Sequence, residues 1–176
     1  LTVGGGVRNL EDIKKLLHAG ADKVSINTSA VLNREFVKQA AEKYGSSTIV
    51  IAVDAKNISD NKWEVFTHGG REATGIDAIE YCQEVASLGA GEILLTSMDR
   101  DGTKLGFDVD LLKRITSKIY IPVIASGGVG TLEHFSQGIL QGGANSVLAA
   151  SVFHFGQLKI QDVKRYLADK NIPVRI

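Results

Sequence analysis

Six short apolar runs constrain this chain more than anything else in it. They are Leu1–Val3, Lys23–Ile26, Thr48–Val53, Glu92–Leu95, Ile119–Ala125 and Ser146–Ala149. Each stops at a glycine or a small polar cluster, and each is followed by a helical pattern of apolar residues. Asn9 is placed to cap a helix from Leu10 to about Ala19, and Asn33 one from Arg34 to about Tyr44. Further helices are expected over Ile76–Leu88, from Asp108 to about Thr116, from Thr131 to about Leu140 and over Lys159–Ala168. Thr48–Val53 is rich in β-branched residues, as in a strand buried on both faces. Strand and helix alternating in this way predict βαβ units with right-handed crossovers and a parallel sheet.

Two α/β architectures answer to that pattern. A doubly wound nucleotide fold carries G-x-G-x-x-G after its first strand, and Gly4-Gly5-Gly6-Val7-Arg8-Asn9 does not have that spacing. A (β/α)8 barrel needs eight units and typically about 250 residues. Six units in 176 residues are three quarters of one.

An internal repeat favours the barrel. Residues 2–30 resemble residues 124–153: Gly5-Gly6-Val7 through Leu10-Glu11 returns as Gly127-Gly128-Val129 through Leu132-Glu133. Ala21-Asp22-Lys23-Val24 before Asn27-Thr28 returns as Ala144-Asn145-Ser146-Val147 before Ala150-Ser151. Two units lie between the copies, so they fall half a barrel apart. The expectation is a single partial TIM-barrel domain over residues 1–176, holding strands 3 to 8. The chain starts at Leu1, without a methionine, on the last residues of a strand. It is therefore expected to be part of something longer.

Bulk composition excludes several classes. Twenty basic and twenty acidic residues balance, and no basic run argues for nucleic acid. No apolar stretch approaches the roughly 20 residues of a membrane span, and no signal peptide is visible, so a cytoplasmic location is expected. The single cysteine, Cys82, lies in a helical pattern and reads as core. No His/Cys/Asp spacing suggests a metal.

Chemistry concentrates at the strand ends. Gly6 with Thr28, and Gly127 and Gly128 with Ala150 and Ser151, offer backbone N–H groups in glycine turns, beside a short helical turn over Val152–Phe155. That is a phosphate-binding arrangement. Two such sites across one barrel mouth imply a ligand with a phosphate at each end. Carboxylates lie between them. Asp54 closes its strand with no helix near enough to cap, so it is the first candidate for acid–base work. Asp101 and Asp99, in the loop after Glu92–Leu95, follow in that order. His68 lies beside Gly69-Gly70 in a long segment, Ala55–Gly75, within which Trp63–Thr67 alternates like a hairpin strand. It either touches a ligand or faces solvent. His18, His134 and His154 sit on helical patterns and are given no role.

These residues fall into runs: Thr2-Val3-Gly4-Gly5-Gly6, Lys23-Val24-Ser25-Ile26-Asn27-Thr28, Val53-Asp54-Ala55-Lys56, Thr96-Ser97-Met98-Asp99-Arg100-Asp101-Gly102-Thr103, Ala125-Ser126-Gly127-Gly128 and Ala150-Ser151-Val152-Phe153-His154-Phe155. In that order, and over the whole chain, they resemble the cyclase subunit of imidazole glycerol phosphate synthase, of histidine biosynthesis. The resemblance implies that a phosphoribulosyl-formimino-aminoimidazole carboxamide ribonucleotide reacts with ammonia, giving imidazole glycerol phosphate and aminoimidazole carboxamide ribonucleotide. It implies no cofactor and no metal. Asp54 matches the family's fifth-strand catalytic aspartate, while the first-strand one has no counterpart here. Asn27, Thr96 and Asp101 match substrate-lining residues, and Gly6, Thr28, Gly128, Ala150 and Ser151 match phosphate contacts. A glutaminase, separate or fused, is implied as partner, its ammonia entering the opposite end of the barrel past charged residues that Lys23 and Glu92 match. The D-R-D-G-T loop and S-G-G turn also occur in the sister isomerase of the pathway, which is the alternative activity. A non-catalytic barrel fragment or partner-binding scaffold is the alternative of another class. By itself the chain is expected to be inactive.

Overall fold

The computed structural model describes residues 1–175. Six strands form one parallel sheet: β1 (Thr2–Gly4), β2 (Lys23–Ile26), β3 (Ile49–Ser59), β6 (Glu92–Ser97), β7 (Val123–Ser126) and β8 (Ser146–Val147), hydrogen-bonded in that order. Two more, β4 (Lys62–Thr67) and β5 (Glu72–Asp77), form an antiparallel hairpin appended to β3. The helices are α1 (Leu10–His18), α2 (Thr28–Leu32), α3 (Arg34–Tyr44), α4 (Ala78–Ser87), α5 (Val109–Thr116), α6 (Leu132–Leu140), α7 (Ser151–His154) and α8 (Ile160–Asp169).

The helices cover one face of the sheet. Val24, Ile26, Ile49, Ile51, Val53, Ile93, Leu95, Val123 and Ala125 point to that face and are buried against Ile13, Val37, Cys82, Leu111, Ile115 and Phe135 from the helices. The other face is concave. Thr2 and Gly4 at one edge and Ile124 and Leu148 at the other line a single cavity of about 1060 Å³, so the sheet curls around it. Among the described residues β1 and β8 do not pair. The result is a partial (β/α) barrel with an open side. No described helix is long and apolar enough to cross a membrane.

Local chemistry sets the helix starts. Asn9 Oδ1 accepts from the Asp12 N–H at 3.0 Å, Asn33 Oδ1 from the Phe36 N–H at 3.3 Å and Asp108 Oδ1 from the Leu111 N–H at 3.0 Å. Each satisfies one orphan donor of a first helical turn. At α6, Thr131 is the N-cap of a capping box, and His134 Nδ1 reaches back to accept from the N–H groups of Gly130 at 3.0 Å and Thr131 at 3.3 Å.

Several boundaries differ from expectation. β3 does not end at Asp54 but runs on to Ser59, because the hairpin supplies a partner for its second half. The expected long loop is therefore largely strand. The helix expected from Ile76 starts at Ala78, since Asp77 Oδ1 takes up the N–H groups of Ile79 and Glu80 and leaves Ile76 in β5. The strand expected from Ile119 starts at Val123, just after Pro122, which has no N–H to pair. Leu148 and Ala149 lie beyond the end of β8. Between β2 and α3 the extra helix α2 replaces what looked like a polar strand end.

Candidate active site

The concave face brings the expected residues together in layers. Asp54 is in register with Thr96, and Thr96 with Ser126. All three point into the curl at the carboxyl end of the sheet, where barrel enzymes keep their chemistry. Asn27 follows directly on β2 and reaches across: its Nδ2 donates to Asp54 Oδ2 at 2.9 Å.

The surroundings of Asp54 decide its proton affinity. Burial pushes its carboxyl above the ordinary carboxylate range. The hydrogen bond from Asn27 works against that shift, and the negative charge of Asp101 adds to it. A carboxyl raised in this way, half-buried in a cleft, is a candidate for proton transfer. Asn27 Oδ1 is buried without a partner, which leaves an acceptor aimed at nothing within the protein.

The other carboxylates of the region have different work. Asp99 Oδ2 accepts from the Asn57 N–H at 2.7 Å, tying the loop after β6 to the extended end of β3. Among the described residues it makes no ion pair with Arg100. Asp108, singled out from sequence only as a cap, also accepts from Trp63 Nε1 at 3.0 Å and from Ser97 Oγ at 3.3 Å. It joins hairpin, strand and helix.

The two glycine turns are built alike but covered differently. Gly6 and Thr28 line the large cavity, together with Gly5, Arg8 and Asn27. Gly127, Gly128, Ala150 and Ser151 line a second, smaller one of about 150 Å³, with Asp101, Gly102 and Lys104. Gly128 has φ +98°, and a Cβ there would lie 2.2 Å from the Gly106 carbonyl oxygen. The loop after β6 therefore lies directly on this turn, and Gly106 N–H donates to Gly128 O at 2.7 Å. No atom approaches the corresponding point on Gly6 within 4 Å. Among the described residues the N–H groups of Gly128, Ala150 and Ser151 have no protein acceptor.

His68 belongs to the mouth. It is half-exposed at the hairpin tip, lines the large cavity, and its N–H donates to Thr28 Oγ1 at 3.1 Å. Its Nδ1 lies 3.1 Å from Glu72 Oε2. Sequence reasoning could not join His68 to Thr28, because the contact depends on how far the hairpin extends.

At the opposite end of the curl Lys23 Nζ pairs with Glu92 Oε1. They stand on strands separated by β3 and span the concave face over Val50. Each is mostly shielded, so the pair neutralises charges that would be costly alone. Cys82 is fully buried, its thiol pushed up to about 12 by burial, and takes no part.

A family model described as "Histidine biosynthesis protein" matches residues 1–159, which hold every site residue described above. The chain belongs to that histidine biosynthesis protein family.

Proposed function

We propose that the chain carries most of the cyclase of imidazole glycerol phosphate synthase, and that Asp54 is its acid–base residue. In this reading a bis-phosphate substrate stretches across the curl. One phosphate lies on Gly6 and Thr28, the other on Gly127, Gly128, Ala150 and Ser151. Asn27, Thr96 and Asp101 face the part between them, and Asp54 moves a proton there. Ammonia, supplied by a glutaminase, enters from the end of the barrel marked by Lys23 and Glu92. A closed barrel needs two more βα units between β8 and β1, and the second catalytic carboxylate belongs to them.

The observation that carries this reading over the sister isomerase is the Lys23–Glu92 pair on the concave face. An isomerase that consumes no ammonia has no use for a charged entrance on the barrel axis. Product analysis tests it. The chain, completed by a fragment that supplies two βα units, is incubated with the bis-phosphate substrate and ammonium ions. Imidazole glycerol phosphate is the expected product, and an isomerised substrate alone would favour the isomerase. The chain without the complement is expected to be inactive; turnover by it would overturn the need for completion.

A further inference from the structure

The two glycine turns differ at one position of the repeat. Gly6-Val7-Arg8-Asn9 corresponds to Gly128-Val129-Gly130-Thr131, so Arg8 stands where the second copy has Gly130. Arg8 gives the first turn a cation, and it lines the cavity with Gly5, Gly6 and Thr28. The second turn cannot carry one at that position. A Cβ on Gly130 would lie 2.6 Å from the Lys104 carbonyl oxygen and 2.7 Å from Lys104 Cβ. The loop that excludes a side chain there brings its own lysine.

We propose that Lys104 is the phosphate-binding cation of the second anion site, supplied by the loop between β6 and α5 in place of the arginine of the first. The proposal rests on the two-anion reading above. Its charge argument is simple. The charged residues lining the small cavity are Asp101 and Lys104 alone. Without Lys104 the net formal charge at the site is negative, and a phosphate dianion would be repelled. With it the site is neutral, and the open N–H groups of Gly128, Ala150 and Ser151 provide the oriented donors.

The loop is built to present this residue. Lys104 has φ +60°, in the left-handed region that a lysine rarely enters. That conformation is held on both sides. Thr103 Oγ1 donates to Arg100 O at 2.7 Å and accepts from the Leu105 N–H at 3.2 Å, and Gly106 is tied to Gly128. Lys104 Nζ donates to Gln157 Oε1 at 3.0 Å, an exposed neutral contact. A phosphate oxygen is a better acceptor than an amide oxygen, so the ammonium exchanges one for the other at little cost.

The test uses inorganic phosphate on the 176-residue chain, with binding followed by amide NMR shifts. Gly6 and Thr28 report the first site, Gly128 and Ser151 the second. Wild-type protein is expected to saturate at both. In Lys104→Gln the Kd read at Gly128 and Ser151 should rise about tenfold or more, while that at Gly6 and Thr28 stays within about twofold. Lys104→Arg should keep the second site near its wild-type affinity, and Arg8→Gln should weaken only the first. An unchanged second-site Kd in Lys104→Gln, or an equal loss at both sites, overturns the assignment of Lys104 and leaves the two-anion reading standing. Wild-type protein that shows no saturable shift at either pair overturns that reading, and this one with it.

Discussion

Asn27 Nδ2 donates to Asp54 Oδ2 across a gap between two strands that have stopped pairing. The bond holds the carboxylate's orientation and opposes the upward shift that burial imposes. Removing it in Asn27→Ala should raise the Asp54 titration midpoint further, as read by carboxyl carbon NMR. A midpoint that stays put would mean that solvent replaces the amide. If Asp54 transfers the proton, Asp54→Asn in the completed barrel should lose about 100-fold or more in kcat.

The same shift has a stability consequence whose sign is opposite to the usual carboxylate case. The Asp54 carboxyl is held above its unfolded value of 3.8, so the unfolded state gives up its proton first. Its ionisation therefore costs stability as pH rises from that value through the folded one, and the full cost persists above. Asp54→Asn is expected to stabilise the chain at pH 7 relative to wild type, and to lose that advantage below pH of about 4. Urea denaturation across that range checks it.

Gly128 and Gly6 occupy equivalent turns but should tolerate a methyl group unequally. Gly6→Ala meets only the backbone penalty of positive φ, about 1 kcal/mol. Gly128→Ala adds a collision with the Gly106 carbonyl and should cost about 3 kcal/mol. Thermal or urea melts of the two variants measure the difference. Equal losses would mean that the loop after β6 lifts off freely.

Lys23 and Glu92 should behave as a coupled pair. Lys23→Met strands a shielded carboxylate and should destabilise by about 2 kcal/mol, and the double variant Lys23→Met/Glu92→Leu should recover most of it. A double-mutant cycle gives the coupling. Additive losses would show that water screens the two charges independently.

Asp108 ties three elements, and the only tryptophan of the chain reports on one of them. Asp108→Ala should cost about 2–3 kcal/mol, from a lost helix cap and two lost hydrogen bonds. Trp63 fluorescence should shift to the red if the hairpin loosens. An unchanged spectrum would place the loss in the cap alone.

The placement of several of these residues at one end of the sheet is legible in the sequence. Asp54, Thr96 and Asn27 each follow an apolar run, and such runs predict both the strand and the direction in which it delivers its end. Lys23 and Glu92 came only from the family resemblance; no apolar pattern of the chain singles out a pair on strands 69 residues apart. The contacts that depend on loop reach were not. Asp99 binding Asn57, His68 reaching Thr28 and His134 capping α6 all follow from how far a hairpin or turn extends, which apolar periodicity does not encode. The extension of β3 past Asp54 was missed for the same reason. Asn57–Asn61 look like a turn in the sequence, and their first half becomes strand only because Lys62–Thr67 lies beside it.

That extension divides β3 into two working halves. β2 is its neighbour through Ile51, and β4 takes over on that side from Asp54 onward. The strand thus changes neighbour on one side from a parallel to an antiparallel partner, with Asp54 at the joint. Insertions or substitutions in the hairpin can reshape the mouth without disturbing the strand starts that carry Lys23 and Glu92. One end of the curl can vary with the hairpin while the end that holds the Lys23–Glu92 pair keeps its geometry.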